Sequence, residues 1–227
     1  MSAVSLKDVL IPANEQNRAI AGLVVLGWED AYAYVEAAEE AGIPIILQAG
    51  PGCREHTPVP ILGKMFRHLA EQASVPVVCH IDHGYTKEEC IEGIESGFTS
   101  VMFDGSKLPI EENIALTNEI VELAKPHNIS VEGEVGFVGY AQGANSTGTN
   151  PQEALLFAEQ SGADAMAISI GNVHLKTEKT AGIDFDLVAE IEGLTNIPLV
   201  VHGGSGIPVE ARQKLASTSR VAKFNIG

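Results

Sequence analysis

Basic residues are scarce in this chain. Of its 227 residues 14 are Lys or Arg, against 30 Asp or Glu, for a formal net charge of −16. Nucleic acids are captured mainly through Lys and Arg contacts to phosphate, so this balance excludes a nucleic-acid partner. Long hydrophobic runs are missing too. No stretch approaches the ~20 apolar residues of a membrane-spanning helix, and the opening MSAVSLKDVLIP has no basic segment leading into an apolar one, as a secretory signal would. A cytoplasmic protein with no membrane partner is expected. Three cysteines (Cys53, Cys79 and Cys90) are an odd set without CxxC spacing, which argues against a disulfide framework or a zinc knuckle. Charged residues, at 19%, are too few for a coiled coil, and a hydrophobic content of 45% is too high for disorder.

What is present is a regular alternation. Short apolar, β-branched runs at 19–25, 43–48, 75–80, 100–103, 130–134, 165–170, 197–202 and 221–226 read as eight strands. Most are continuous rather than alternating, as a parallel sheet covered on both faces requires. Helical patterns lie between them. The segment 28–41 stops at Gly42, and 61–70 repeats its apolar residues at helical spacing. Thr86 and Glu89 form a capping-box pattern before a helix ending near Gly97. Asn150, Pro151 and Glu153 open another that closes at Gly162, and Pro208 opens one running to about Ser217. No linker divides the chain, so residues 1–227 are read as one (β/α)8 barrel domain. A doubly wound sheet is the runner-up, weakened because no GxGxxG follows the first strand. The sequence stops at Gly227, directly after the eighth strand, so the barrel lacks its last helix. A longer natural chain, or an oligomer contact over that side, is expected.

In such a barrel the active site lies at the C-terminal ends of the strands. Polar residues gather there: His80, Asp82 and His83 after the third, Asp104 after the fourth, Glu132 and Glu134 on the fifth, Asn172 and His174 after the sixth, His202 after the seventh and Asn225 on the eighth. Three imidazoles from different strands make a zinc site with an open fourth position, which favours a metal site at His83, His174 and His202. His80 is less clear. His68 and His127 are read as structural and His56 as a solvent-exposed loop residue. Glu132 and Glu134, two apart, share a strand face, and two acids aimed into a barrel mouth are costly without a cation or substrate. The turn Gly203-Gly204-Ser205-Gly206, followed by a helix start, is a plausible anion cradle. The Gly-rich stretch 136–149 reads as a mobile lid or an ordinary surface loop.

The blocks Cys79-His80-Ile81-Asp82-His83-Gly84, Val101-Met102-Phe103-Asp104-Gly105-Ser106, Val131-Glu132-Gly133-Glu134-Val135-Gly136, Gly171-Asn172-Val173-His174 and Val201-His202-Gly203-Gly204-Ser205-Gly206 resemble the class II, zinc-dependent ketose-bisphosphate aldolases, the family of the fructose- and tagatose-bisphosphate enzymes. The match runs in register from about Ser5 to Gly227. The resemblance implies one Zn²⁺ per chain held by His83, His174 and His202, with Glu134 as ligand of an alternative metal position. Asp82 is implied as the acid/base at the C4 hydroxyl of the ketose, and zinc as the group that stabilises the enediolate left by C–C cleavage. Gly203, Ser205 and Asn225 match phosphate and donor-binding positions, and Lys179 a lysine near the phosphate.

There are departures from that pattern. Gln142 stands where the family's lid loop carries a proton-transferring glutamate, Leu175 where a glycine follows the second histidine, and Gly50 where a Ser or Thr follows the second strand. The family's C-terminal helices, with an arginine contributed across a subunit interface, have no counterpart here. The implied protein is an aldehyde-lyase acting on a sugar phosphate or related hydroxy-ketone other than fructose 1,6-bisphosphate, as a homo-oligomer (dimer or tetramer). Two alternatives are an impaired homologue that binds metal and sugar phosphate without turnover, and a zinc hydrolase on the same ligands.

Overall fold

A computed structural model describes residues 2–176 and 178–227. The chain opens with α1 (Leu6–Glu15) and then alternates: β1 (Ile20–Val24), α2 (Trp28–Ala41), β2 (Ile45–Ala49), α3 (Pro51–His56), α4 (Val59–Gln72), β3 (Val77–Gly84), α5 (Lys87–Glu95), β4 (Ser100–Phe103), α6 (Ile110–Ala124), β5 (Ser130–Val135), α7 (Pro151–Gln160), β6 (Ala165–Ile168), α8 (Phe185–Leu194), β7 (Leu199–Val201), α9 (Val209–Thr218) and β8 (Val221–Ile226). All eight strands are parallel and close on themselves through β1 and β8, with Gly22 opposite Asn225. The architecture is a (β/α)8 barrel. Among the described residues no helix follows β8, and on the outer face of the adjoining β1 Ala21 is exposed.

The barrel interior is layered. Its lower end is apolar, with Ile20, Ile46, Val78, Met102, Ala165, Ala167, Val200 and Ala222 packed against Leu6, Val9, Leu10 and Ala13 of α1, which plugs the bottom. One pleat repeat higher the interior turns polar, as at Gln48 and His80, two residues beyond Ile46 and Val78 on the same face. Gln48, His80, Glu132 and Lys223 form this buried layer. Gly22 makes room for it, because a Cβ there would sit 1.8 Å from Gln48 Oε1. Asp82, Glu134 and Asn225 lie a further repeat toward the mouth.

The differences from sequence-based expectation have local causes. β3 runs on to Gly84, so His80, Asp82 and His83 lie on the strand. β6 stops at Ile168 because the next backbone donors turn to side chains: Ser169 N–H to Thr149 Oγ1 and Ile170 N–H to Asn172 Oδ1, both at 2.8 Å. At α5, Thr86 Oγ1 accepts from Glu89 N–H at 3.2 Å, but the Glu89 carboxylate accepts from Tyr85 N–H, one residue before the expected partner. His56 belongs to α3 rather than to a loop, although it is exposed as expected. No helix of the described residues is long and apolar enough to cross a membrane.

Candidate active site

Three histidines meet at the mouth. His83 is on β3, His202 directly follows β7 and His174 lies in the connection after β6. Their ring centroids are 4.6 Å (His83–His202), 5.0 Å (His83–His174) and 5.5 Å (His174–His202) apart. One ligand-type nitrogen from each lies within 4.8 Å of the others. The outer nitrogens of two rings are already engaged. His83 Nδ1 is 2.8 Å from Asp104 Oδ2 and His202 Nε2 is 3.0 Å from Glu132 Oε1. Carboxylates accept, so each outer nitrogen carries the hydrogen. That leaves His83 Nε2 and His202 Nδ1 facing each other at 3.0 Å, with no hydrogen between them when both rings are neutral. Such a contact is repulsive unless a proton or a cation lies between them.

The other donors converge on the same space. His174 Nε2 and Glu134 Oε2 are buried without a hydrogen-bond partner, and Glu134 Oε2 is 3.8 Å from His202 Nδ1. Buried polar atoms are seldom left unpaired. The donor set of three imidazoles and a carboxylate suits zinc.

The electrostatics of the cluster also call for positive charge. Burial opposes protonation of His83, yet the carboxylates of Asp82, Asp104 and Glu134 outweigh it and push the group up to about 9. Burial, then the charge on His83, lowers His174 to about 4, and the same two causes hold His202 well below its usual range. Burial, reinforced by Asp104, raises Glu134 to about 8. For Asp82 burial acts upward, but His83, His202 and Lys223 prevail and keep the carboxyl below its ordinary value.

His83 has φ 53°, a left-handed conformation that costs a non-glycine residue energy and often marks a functional position. Leu175, directly after His174, has φ 55° and is 81% exposed. The mouth is a cleft of about 760 Å³, lined among others by Asp82, His83, His174, Leu175, Lys176 and Asn225. Asn225 Nδ2 donates to Asp82 Oδ1 at 3.0 Å, while Asn225 Oδ1 is buried without a partner. Gly203 and Ser205 also line the cleft. Gly203 has φ 63°, and a Cβ there would lie 2.3 Å from Val173 O. Ser205 Oγ donates to Gly227 O at 2.7 Å and accepts from Gly227 N–H at 3.1 Å.

Two of the residues singled out in the sequence lie elsewhere. Gln142 is exposed in a turn of the 136–149 loop and does not line the cleft. Lys179 is exposed and likewise outside it, and the lysine at the cleft is Lys176. The loop itself lies folded down, with Phe137 and Thr147 paired backbone to backbone, and His174 N–H donates to Gly139 O at 2.8 Å. Tyr140, on the loop, stacks on His174 at 4.9 Å.

Comparison with known proteins decides the family. The profile described as fructose-bisphosphate aldolase class-II matches residues 4–227. The chain belongs to the class-II fructose-bisphosphate aldolase family. It is 39% identical to the 6-phospho-5-dehydro-2-deoxy-D-gluconate aldolase of Bacillus licheniformis, over 100% of this chain and 79% of that protein. It is 36% identical to the fructose-bisphosphate aldolase of Staphylococcus aureus strain COL, over 100% of this chain and 81% of the other. Among solved structures, the YdjI aldolase of Escherichia coli K12 superposes with a TM-score of 0.88 at 33% identity, covering 99% of this chain and 81% of that one.

Sequence reading missed three contributors to this mouth. Lys223 is a lone cation inside an apolar strand, and that interruption was its only signal. Tyr85, whose ring lies 6.1 Å from that of His83, and Arg54, which reaches the carbonyls of Asp82 and His83, gave none.

Proposed function

We propose that this aldolase-family chain uses one Zn²⁺, held by His83, His174 and His202 with Glu134 as an alternative ligand, to cleave or form a carbon–carbon bond beside the ketone of a sugar phosphate or related hydroxy-ketone. The observation that carries this reading is the convergence of one ligand-type nitrogen from each of His83, His174 and His202 within 4.8 Å, beside the buried, unpartnered His174 Nε2 and Glu134 Oε2. A divalent metal at such a site supplies a Lewis acid that polarises the ketone and offsets the negative charge of the enediolate.

The chain's own residues account for the rest. Asp82 keeps one oxygen on Asn225, which leaves Oδ2 to take a proton from the hydroxyl next to the breaking bond and return it in the synthetic direction. Asn225 fixes that carboxylate and directs its own unpaired Oδ1 toward the donor half of the substrate. Lys176, Gly203 and Ser205 border the cleft where an anionic group would enter. Lys179 requires a shift of its loop to join them. The names of the Bacillus licheniformis and Staphylococcus aureus relatives place phosphate on the substrates of those proteins, and the same class is proposed here. An amide at position 142 neither takes nor gives a proton near neutral pH, so Gln142 is assigned substrate contact at most.

Zinc content and retro-aldol turnover, measured before and after chelation, test the proposal. One Zn²⁺ per chain and turnover that is lost with chelator and regained with metal are expected. Zinc binding without turnover on any ketose phosphate favours the impaired homologue instead. The variant Gln142→Glu then asks whether the missing carboxylate is the reason.

A further inference from the structure

We propose that Arg54 is a positioning residue that holds His83 and Asp82 in the geometry the metal site needs, an inference that rests on the metal reading above. Arg54 is the fourth residue of α3, two positions before its end, and its side chain is only 8% exposed. Its guanidinium donates to three backbone carbonyls. Nη1 reaches Ala49 O at 2.6 Å and Asp82 O at 2.5 Å, and Nη2 reaches His83 O at 2.8 Å. Glu89 Oε2, on α5, stands 3.7 Å from Nη2 as the nearest counter-charge.

The reason for the arrangement lies in the sheet. Pairing of β2 with β3 ends at Ala49 opposite Ile81, and the register between β3 and β4 shifts between Ile81 and Gly84. The carbonyls of Asp82 and His83 therefore fall beyond the ladder with β2 and inside the irregular stretch of the ladder with β4, which resumes at Gly84 opposite Phe103. Buried carbonyls require donors, and Arg54 supplies them from outside the sheet. Its planar fork presents donors on separate nitrogens in a fixed geometry, which the single nitrogen of an ammonium does not. The irregularity it braces contains the left-handed His83 backbone, φ 53°, which turns one ring toward His202 while Asp82 turns toward Asn225. A strained conformation persists only where its surroundings over-determine it. The Arg54 fork is the local constraint that ties both residues to the end of β2.

The test is Zn²⁺ titration against a competing chelator for wild type, Arg54→Lys and Arg54→Met, with thermal melts of each metal-free protein. Ile191→Val, a small change in the outer core remote from the mouth, reports how affinity responds to destabilisation alone. Wild-type binding of one Zn²⁺, unchanged affinity in Ile191→Val, and affinity weakened about 10- to 100-fold in Arg54→Lys and at least as much in Arg54→Met are expected. Unchanged affinity in a folded Arg54→Lys or Arg54→Met overturns the proposal while leaving the metal site standing. Failure of both variants to fold also overturns it, because Arg54 is then a general brace. Absence of Zn²⁺ binding in wild type removes the metal reading itself, and the positioning role with it.

Discussion

Lys223 Nζ lies 2.7 Å from Glu132 Oε2, and both side chains are fully buried beneath the histidines. Glu132 accepts from His202 with its other oxygen, and Lys223 also reaches His80 Nε2 at 3.2 Å. Breaking one side of such a pair leaves an uncompensated buried charge. Glu132→Gln is expected to lower stability by about 3–5 kcal/mol, measured by urea unfolding. The double variant Glu132→Leu, Lys223→Met is expected to lose less than the single one, since it leaves neither charge behind.

Asp82 and the proposed metal ligands separate by readout. Asp82→Asn keeps the hydrogen bond from Asn225 after an amide flip but cannot take a proton. Turnover is expected to fall roughly 10²- to 10⁴-fold with zinc content unchanged. His202→Ala is expected to lose both. Metal analysis beside steady-state kinetics distinguishes the two, and a zinc-free Asp82→Asn protein would contradict the assignment.

Leu175 makes a prediction about stability and substrate together. A left-handed backbone costs a non-glycine residue about 1–2 kcal/mol, and glycine's extra unfolded-state freedom takes back about 0.5–1 kcal/mol. With 81% of the side chain exposed, little burial is lost on truncation. Leu175→Gly is therefore expected to stabilise by about 0.5 kcal/mol in a denaturant series, and to lower KM for phosphorylated substrates by widening the cleft. A raised KM would instead show Leu175 to be a substrate contact.

The cysteines give a check on the core. Burial pushes the thiols of Cys79 and Cys90 up to about 12. At pH 8 only about one in ten thousand of each is thiolate, the reactive form. Both are expected to resist a disulfide thiol reagent in the folded protein and to react within minutes in denaturant. Fast labelling of either without denaturant would mean that β3 or α5 opens readily.

Much of this was legible in the residue order, for identifiable reasons. The eight strands showed because a parallel barrel buries both faces of each, leaving unbroken apolar runs. The helix α2 matched at both ends because Gly42, at φ 66°, stops it as glycine does. The histidines and acids at the mouth showed because their strands place them at one end. The helix α1 was not visible, because Pro12 interrupts its interior and its apolar residues seal the barrel floor rather than a flank. Arg54 was hidden for a different reason. Its partners are backbone oxygens, which leave no trace in side-chain identity, and they arise from a strand irregularity that only the folded sheet defines. The positions of Gln142 and Lys179 were equally out of reach, since loop conformation depends on contacts made across the mouth.

His174 differs from the other two histidines in its support. It hangs from the 136–149 loop through its own backbone, giving its N–H to Gly139 and its carbonyl to the N–H of Ala141. Any swing of that loop would therefore drag an imidazole with it. On the proposed metal reading, admission of substrate and the grip on the ion would become one motion, and too wide a swing at that hinge would risk shedding the ion.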